Sequence, residues 1–150
     1  MATIKQKITP FLWFDNKALQ AAKFYCSIFK NSKIIHESPV VVTFELEGQK
    51  FYALNGGSKF KFTEAISLFV ECKTQAEVDR FWNKLTAEGG QESMCGWLKD
   101  KYGLSWQIVP TTLMKLMSDK DPMKVERVTL AMLKMRKINI QELKDAYNKK

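Results

Sequence analysis

Apolar positions along the first sixty residues change period twice, from a strand-like run to helical spacing and back to alternation. Ile8 to Phe14 is apolar and aromatic, ends at Asp15, and predicts a buried strand. Pro10 places that strand at a sheet edge or close to its own start, because proline has no N–H for the ladder. Asp15 or Asn16 is then the expected cap of a helix carrying Ala18, Ala21, Ala22, Tyr25 and Phe29 at helical spacing and stopping near Lys30-Asn31. Three strand-like runs follow, Lys33 to Glu37, Val40 to Glu47 and Gln49 to Asn55. In the middle run Val42, Phe44 and Leu46 alternate with Thr43, Glu45 and Glu47, which gives one apolar face. Glu47-Gly48 is a tight-turn signal, and Gly56-Gly57 ends the unit.

The same order recurs. Ile66 to Cys72 reads as a strand, and Thr74 with Glu77 forms a capping box for a helix with Val78, Phe81, Trp82 and Leu85 on one face. Gly89-Gly90 closes that helix. Strands are expected at Glu92 to Cys95, Gly96 to Lys99 and Leu104 to Val109, the last two joined by a turn at Lys101-Tyr102-Gly103. Ile8 and Phe11 match Ile66 and Phe69; Phe24, Tyr25 and Ile28 match Phe81, Trp82 and Leu85. Such self-similarity signals a duplicated supersecondary unit.

Beyond the repeat, Asp121-Pro122 is a helix start, Val125, Val128, Met132 and Met135 form one stripe, and Asn139 with Glu142 caps a last helix from Ile140 to Tyr147. Thr111 to Met117 reads as one or two helical turns. The stripe is expected to be core or a dimer contact. The predicted class is therefore α+β: a single domain of two β-α-β-β-β modules, about 8–57 and 65–110, with a helical tail at 111–150. Neither module buries its sheet face alone, so the pair is expected to form a curved, mostly antiparallel sheet. Helices on the convex side and a pocket on the concave side are a fold-level expectation.

Composition narrows the function classes. Hydrophobic residues make up 45% of the 150 and charged residues 27%, which argues against a disordered chain. No apolar run is long enough to span a bilayer, and Met1 to Lys7 lacks the apolar stretch of a secretory signal. The net charge of +8 raises nucleic acid as a partner, but its distribution argues against it. Residues 112–150 hold ten Lys/Arg against five Asp/Glu, alternating with an apolar stripe as on a solvated helix face. The aromatic residues lie mainly elsewhere, whereas a single-strand binding surface interleaves the two. Cys26, Cys72 and Cys95 are odd in number and widely spaced, which suits free thiols in a reducing cytoplasm. Cys95 and Cys72 read as small buried hydrophobes, Asp15 as a cap and Asp100 as a turn residue rather than an acid–base pair.

Several long strings carry a family likeness. Ile8-Thr9-Pro10-Phe11-Leu12-Trp13-Phe14-Asp15, Ala53-Leu54-Asn55-Gly56-Gly57, Phe60-Lys61-Phe62, Glu64-Ala65-Ile66-Ser67 and the run from Cys95 to Gln107 resemble the PhnB-like proteins. These belong to the vicinal oxygen chelate superfamily, with glyoxalase I, extradiol dioxygenases and bleomycin-resistance proteins. Ala131-Met132-Leu133 and Ile138 also look like the family. The resemblance implies paired modules, commonly as a homodimer, and a label as demethylubiquinone methyltransferase. That label fits the residues poorly: a class I methyltransferase needs a glycine-rich turn after its first strand, and Phe14-Asp15-Asn16-Lys17-Ala18 has no glycine.

The resemblance also implies four metal-ligand positions, near Ile8 or Pro10, on Phe51 to Asn55, near Ala65 to Ser67, and at Gln107. Of these, Gln107 is metal-capable and Asn55 a weak neutral candidate; His36, the one histidine, lies on an outer strand. First-row metals need imidazole, thiolate or carboxylate donors, so no tight metal and no cofactor are expected. The ligand-binding candidates are Gln107 and Asn55 as polar anchors, with Trp13, Phe60, Phe62 and Trp97 as stacking faces. Alternation sets Ser105 and Gln107 on one face of their strand and Trp106 on the other. The expected function is binding of a small, partly aromatic molecule. The alternatives are a metal-dependent lyase, isomerase or dioxygenase, and a drug-sequestering resistance protein.

Overall fold

The structure is a computed structural model that describes residues 5–150. The first four residues of the Met1 to Lys7 opening lie outside the described residues. The chain divides into two compact units, one ending at Phe62 and one starting at Thr63.

The first unit contains β1 (Phe11–Phe14), α1 (Ala18–Ile28), β2 (Lys33–Glu37), β3 (Val41–Leu46) and β4 (Gln49–Asn55). Their sheet order is β1-β4-β3-β2, with β1 parallel to β4 and the other pairs antiparallel. The alternation in β3 works as read: Val42, Phe44 and Leu46 are buried with Leu12, Phe14, Phe51 and Ala53. Ala18, Ala21, Ala22, Tyr25 and Ile28 of α1 are buried too, and the Tyr25 ring stacks at 6.3 Å from that of Phe44. Glu47 and Gly48 have φ of 51° and 79°, the doubly positive pair that a two-residue hairpin turn requires.

Two expectations need correction here. The first strand starts at Phe11 rather than Ile8, which is 87% exposed; Pro10 offers a carbonyl to Tyr52 N (2.9 Å) but no N–H to extend the ladder. Nor does Asp15 or Asn16 cap α1. Asn16 is left-handed (φ 57°), and Lys17 occupies the cap position with no side-chain hydrogen bond.

The second unit repeats the plan with β5 (Leu68–Cys72), α2 (Gln75–Thr86), β6 (Gln91–Glu92), β7 (Trp97–Lys99) and β8 (Ser105–Pro110) in the order β5-β8-β7-β6. The ladders thus close as two four-stranded sheets, one per module. Phe11 lies opposite Tyr52 as Phe69 lies opposite Gln107, and both phenylalanines are about half exposed, at 56% and 46%. Thr74 Oγ1 accepts from Glu77 N (3.2 Å), as the capping box predicts, while Glu77 reaches back to Lys73 N (3.2 Å), one residue short of the full box.

The expected strand Glu92 to Cys95 stops after Glu92. Cys95 and Gly96 turn left-handed (φ 59° and 83°), and their N–H groups donate to Met135 O (2.7 Å) and Arg136 O (2.8 Å) instead of to a strand. A Cβ at Gly96 would lie 2.9 Å from Ile108 O, so only glycine fits this approach.

The tail folds as α3 (Thr111–Met117), α4 (Pro122–Leu133) and α5 (Ile140–Asn148). Both predicted caps form: Asp121 accepts from Met123 N (3.0 Å) and Asn139 from Glu142 N (2.9 Å). Val128 and Met135 of the predicted stripe join Val109, Leu113, Ile138 and Leu143 in one core, while Met132 packs beside it half-buried. Gln75 ties the tail to α2 from both ends of its amide, donating to Ile138 O (3.0 Å) and accepting from Ile140 N (2.8 Å). Residues 111–150 are thus part of the second unit's core.

Candidate functional site

Gln107 occupies the middle of a row that crosses three strands of the second sheet. Phe69 on β5 and Trp97 on β7 are its direct register partners. Side chains on β8 alternate, so Ser105, Gln107 and Val109 share this face while Trp106 and Ile108 point to the other. Trp106 is accordingly 2% exposed and donates from Nε1 to Asp100 Oδ2 (2.9 Å). Asp100 Oδ1 also accepts from Tyr102 N (2.8 Å) and Leu104 N (3.1 Å), which makes this buried carboxylate the organiser of the β7–β8 turn.

Above that row lies an open cavity of about 470 Å³. Its floor comes from the sheet, with Phe69, Trp97, Gln107 and Val109, and from Cys95 in the turn ahead of β7. Its wall comes from the tail: Leu113, Met114, Met117, Ser118 and Met132. Among the described residues no charged side chain lines it. Gln107 Nε2 donates to Ser67 Oγ (2.9 Å), which fixes the amide plane; among the described residues its Oε1 accepts no hydrogen bond. The cavity size falls within the range of about 300–1,000 Å³ usual for small-molecule sites.

The structure therefore brings together two of the predicted site residues, Gln107 and Trp97. The other four have different places. Asn55 ends β4, level with Phe14. Its Oδ1 accepts from Ala18 N (2.9 Å) and its Nδ2 donates to Pro39 O (3.0 Å). It caps α1 from a distance and straps the residues ahead of β3, so both ends of the amide already serve the fold. Trp13 lies over Gly56, where a Cβ would come within 2.3 Å of the indole, and donates from Nε1 to Gly57 O (2.8 Å). Phe60 meets Trp13 edge-on at 4.9 Å, and Phe62 meets Phe14 edge-on at 5.3 Å. These aromatics close the end of the first unit.

Sequence reasoning missed Cys95, Met114 and Met117 as cavity residues. The signal for the methionines was their i, i+3 spacing, which sets both on one side of α3. For Cys95 the signal was the following glycine, which marks a turn rather than a strand. Cys72 is fully buried, and burial, reinforced by the Glu77 charge, pushes its thiol up to about 12.

A divalent metal of the kind the resemblance implies does not fit these residues. The two positions in the second unit offer Ser67 Oγ and a neutral amide, already bonded to each other. In the first unit Ile8 and Pro10 offer no donor, and Asn55 Oδ1 is held by a backbone N–H. Among the described residues no three His, Cys, Asp or Glu side chains form a group able to hold a metal ion. His36 is exposed on β2, the outermost strand of its sheet.

Two β-α-β-β-β units with the same strand order define the class of glyoxalase and bleomycin-resistance folds. Solved structures agree on that fold. The protein PA1353 from Pseudomonas aeruginosa is 18% identical, with 71% of this chain and 98% of that one covered and a TM-score of 0.58. The fosfomycin resistance protein FosX from Listeria monocytogenes, solved with Mn(II) and sulfate, is 16% identical, with 71% and 90% covered and a TM-score of 0.54. Within that class the chain belongs to the 3-demethylubiquinone-9 3-methyltransferase family, the PhnB-like proteins, whose family model matches residues 6–109. A Bacillus cereus protein bearing both names is 37% identical over 70% of this chain and 99% of that one, with a TM-score of 0.64. No curated protein matches the chain. The family match ends at Val109, so the likeness read at Ala131 to Leu133 and Ile138, and with it all of α3 to α5, lies beyond it.

Proposed function

We propose that the chain binds a small, uncharged, mostly apolar molecule in the cavity of its second module, anchored by the Gln107 amide and without a tightly held metal. The observation that carries this reading is the cross-strand row Phe69–Gln107–Trp97: one polar group, oriented by Ser67, set between two aromatic rings under an apolar cavity. An uncharged lining disfavours an ionic ligand, whose desolvation nothing there would offset. Methyl transfer is not part of the reading. The turn between β1 and α1 carries Asp15, Asn16 and Lys17 with no glycine to admit a nucleotide cofactor. Exposed Ile8, Phe11 and Ile66 favour the homodimer that the family resemblance implies.

The test is a titration with 2-naphthol, a neutral probe of suitable size, followed by NMR at the Trp97 indole N–H in the wild type and in Gln107→Ala. Binding with a Trp97 shift, weakened roughly tenfold by the substitution, is the expected result for a lost buried hydrogen bond. An unmoved Trp97 signal in the wild type, or an unchanged affinity in Gln107→Ala, removes Gln107 from the site. Stoichiometric zinc or nickel in the purified protein contradicts the metal-free part.

A further inference from the structure

We infer that the tail sets the chemical class of the ligand: through Met114, Met117 and Met132 it makes the cavity selective for a planar aromatic ring carrying one hydrogen-bond donor. This rests on the cavity being the binding site. It goes further by assigning selectivity to residues outside the family match, which ends at Val109. All five wall residues lie after that point.

The chemistry follows from the residue types that line the cavity. The lining includes Trp97 and Phe69 from the sheet and three methionines, Met114, Met117 and Met132, from the tail. A flat π-system between them stacks on the rings below and makes sulfur–aromatic contacts above, whereas a saturated ring of the same outline makes neither. One N–H of Gln107 Nε2 is engaged with Ser67 and Oε1 carries no hydrogen bond among the described residues, so that oxygen takes a hydroxyl or N–H on the ligand.

The wall is held in place. Thr129 Oγ1 lies 3.3 Å from Met117 Sδ, which restrains that side chain. Leu113, one residue before Met114, is buried in the tail core. The chain before β7 is stitched to the tail by the bonds from Cys95 N and Gly96 N to Met135 O and Arg136 O. Those bonds also hold Cys95 at the rim of the floor. Wall and floor are therefore one structure, and the selectivity is built into it before any ligand arrives.

Two probes of one skeleton test the idea: 2-naphthol and its saturated counterpart, decahydro-2-naphthol. Each is titrated calorimetrically into the wild type and into the double variant Met114→Leu/Met117→Leu, which keeps volume and hydrophobicity but removes two sulfurs. Trp97 and Trp13 indole NMR signals report the site and a remote control. The wild type should prefer 2-naphthol by about tenfold, and the double variant by threefold or less, with the decahydro probe bound nearly as before. A wild type without the preference, or a preference undiminished in a folded double variant that still shifts Trp97, overturns the tail's role and leaves the cavity assignment standing. A wild type in which neither probe moves Trp97 overturns the cavity assignment, and the inference with it. Should the double variant fail to fold, Met132→Leu under the same criteria carries the test.

Discussion

Asn55→Ala separates a ligand anchor from a structural one. The side chain makes two neutral hydrogen bonds, from Ala18 N at 2.9 Å and to Pro39 O at 3.0 Å. Each is worth about 1 kcal/mol net. The two ends are not equal. Ala18 is fully buried at the first position of α1, so its N–H, which has no partner within the helix, is left orphaned at a cost of about 1–2 kcal/mol, as for a lost cap. Pro39 is exposed, and water replaces the lost bond there. The expected loss is roughly 2–3 kcal/mol, or about 5–10 °C in Tm for a chain of this length. Urea unfolding followed by circular dichroism gives the value, with the m-value unchanged because the exposed surface is the same. Asn55→Asp keeps an acceptor at the positive end of the helix but sets an oxygen against Pro39 O, so an intermediate loss is expected. A loss in Asn55→Ala below about 0.5 kcal/mol, the level of an ordinary surface substitution, refutes the capping role and returns Asn55 to the ligand candidates.

Gly56→Ala places a methyl 2.3 Å from the Trp13 ring and should destabilise by about 1–3 kcal/mol, with a shift in Trp13 emission; unchanged stability would mean that the indole does not rest on Gly56. Gln75→Ala removes both amide bonds to Ile138 and Ile140, so a loss of about 2 kcal/mol and faster hydrogen exchange at the Ile140 amide are expected; exchange as slow as in the wild type rejects the strap. Burial, reinforced by the Glu77 charge, pushes the folded Cys72 thiol up to about 12 from the ordinary 9.0. Between those pH values the unfolded chain loses the thiol proton while the folded chain keeps it, so the thiol's stabilising contribution, complete below pH 9, is lost as pH rises toward 12. Comparing urea midpoints of wild type and Cys72→Val from pH 8 to 11 isolates this slope; parallel curves disprove the buried thiol.

The repeat was legible because burial imposes period on sequence. Val42, Phe44 and Leu46, or Val78, Phe81, Trp82 and Leu85, are spaced by the geometry of the element that buries them, and the structure buries all seven. The side of β8 on which Gln107 lies was legible for a related reason: alternation sets it on the face opposite to the buried Trp106. The errors fall where a partner distant in sequence decides the local outcome. Asp15 and Asn16 are good capping residues by type, yet α1 is capped by Asn55, 37 residues away. Glu92 to Cys95 looks like strand, but Cys95 and Gly96 give their N–H groups to residues 135 and 136. No local pattern encodes such a pairing, since it depends on which surfaces the core brings together.

The same reasoning explains why the ligand candidates divided. Asn55 and Gln107 are chemically alike and both end up half-buried on the fourth strand of a module. The repeat register separates them: Gln107 stands opposite Phe69 as Tyr52 stands opposite Phe11, so the first module's counterpart of Gln107 is a tyrosine, while Asn55 aligns with Pro110 at the strand end. At the strand end the helix N-terminus is within reach and takes the amide; in mid-strand only the face above is available. Duplication therefore supplied the frame twice, and divergence placed a half-buried amide at the centre of one copy alone. In the second copy the tail adds a wall over that amide, which turns a sheet face into a cavity.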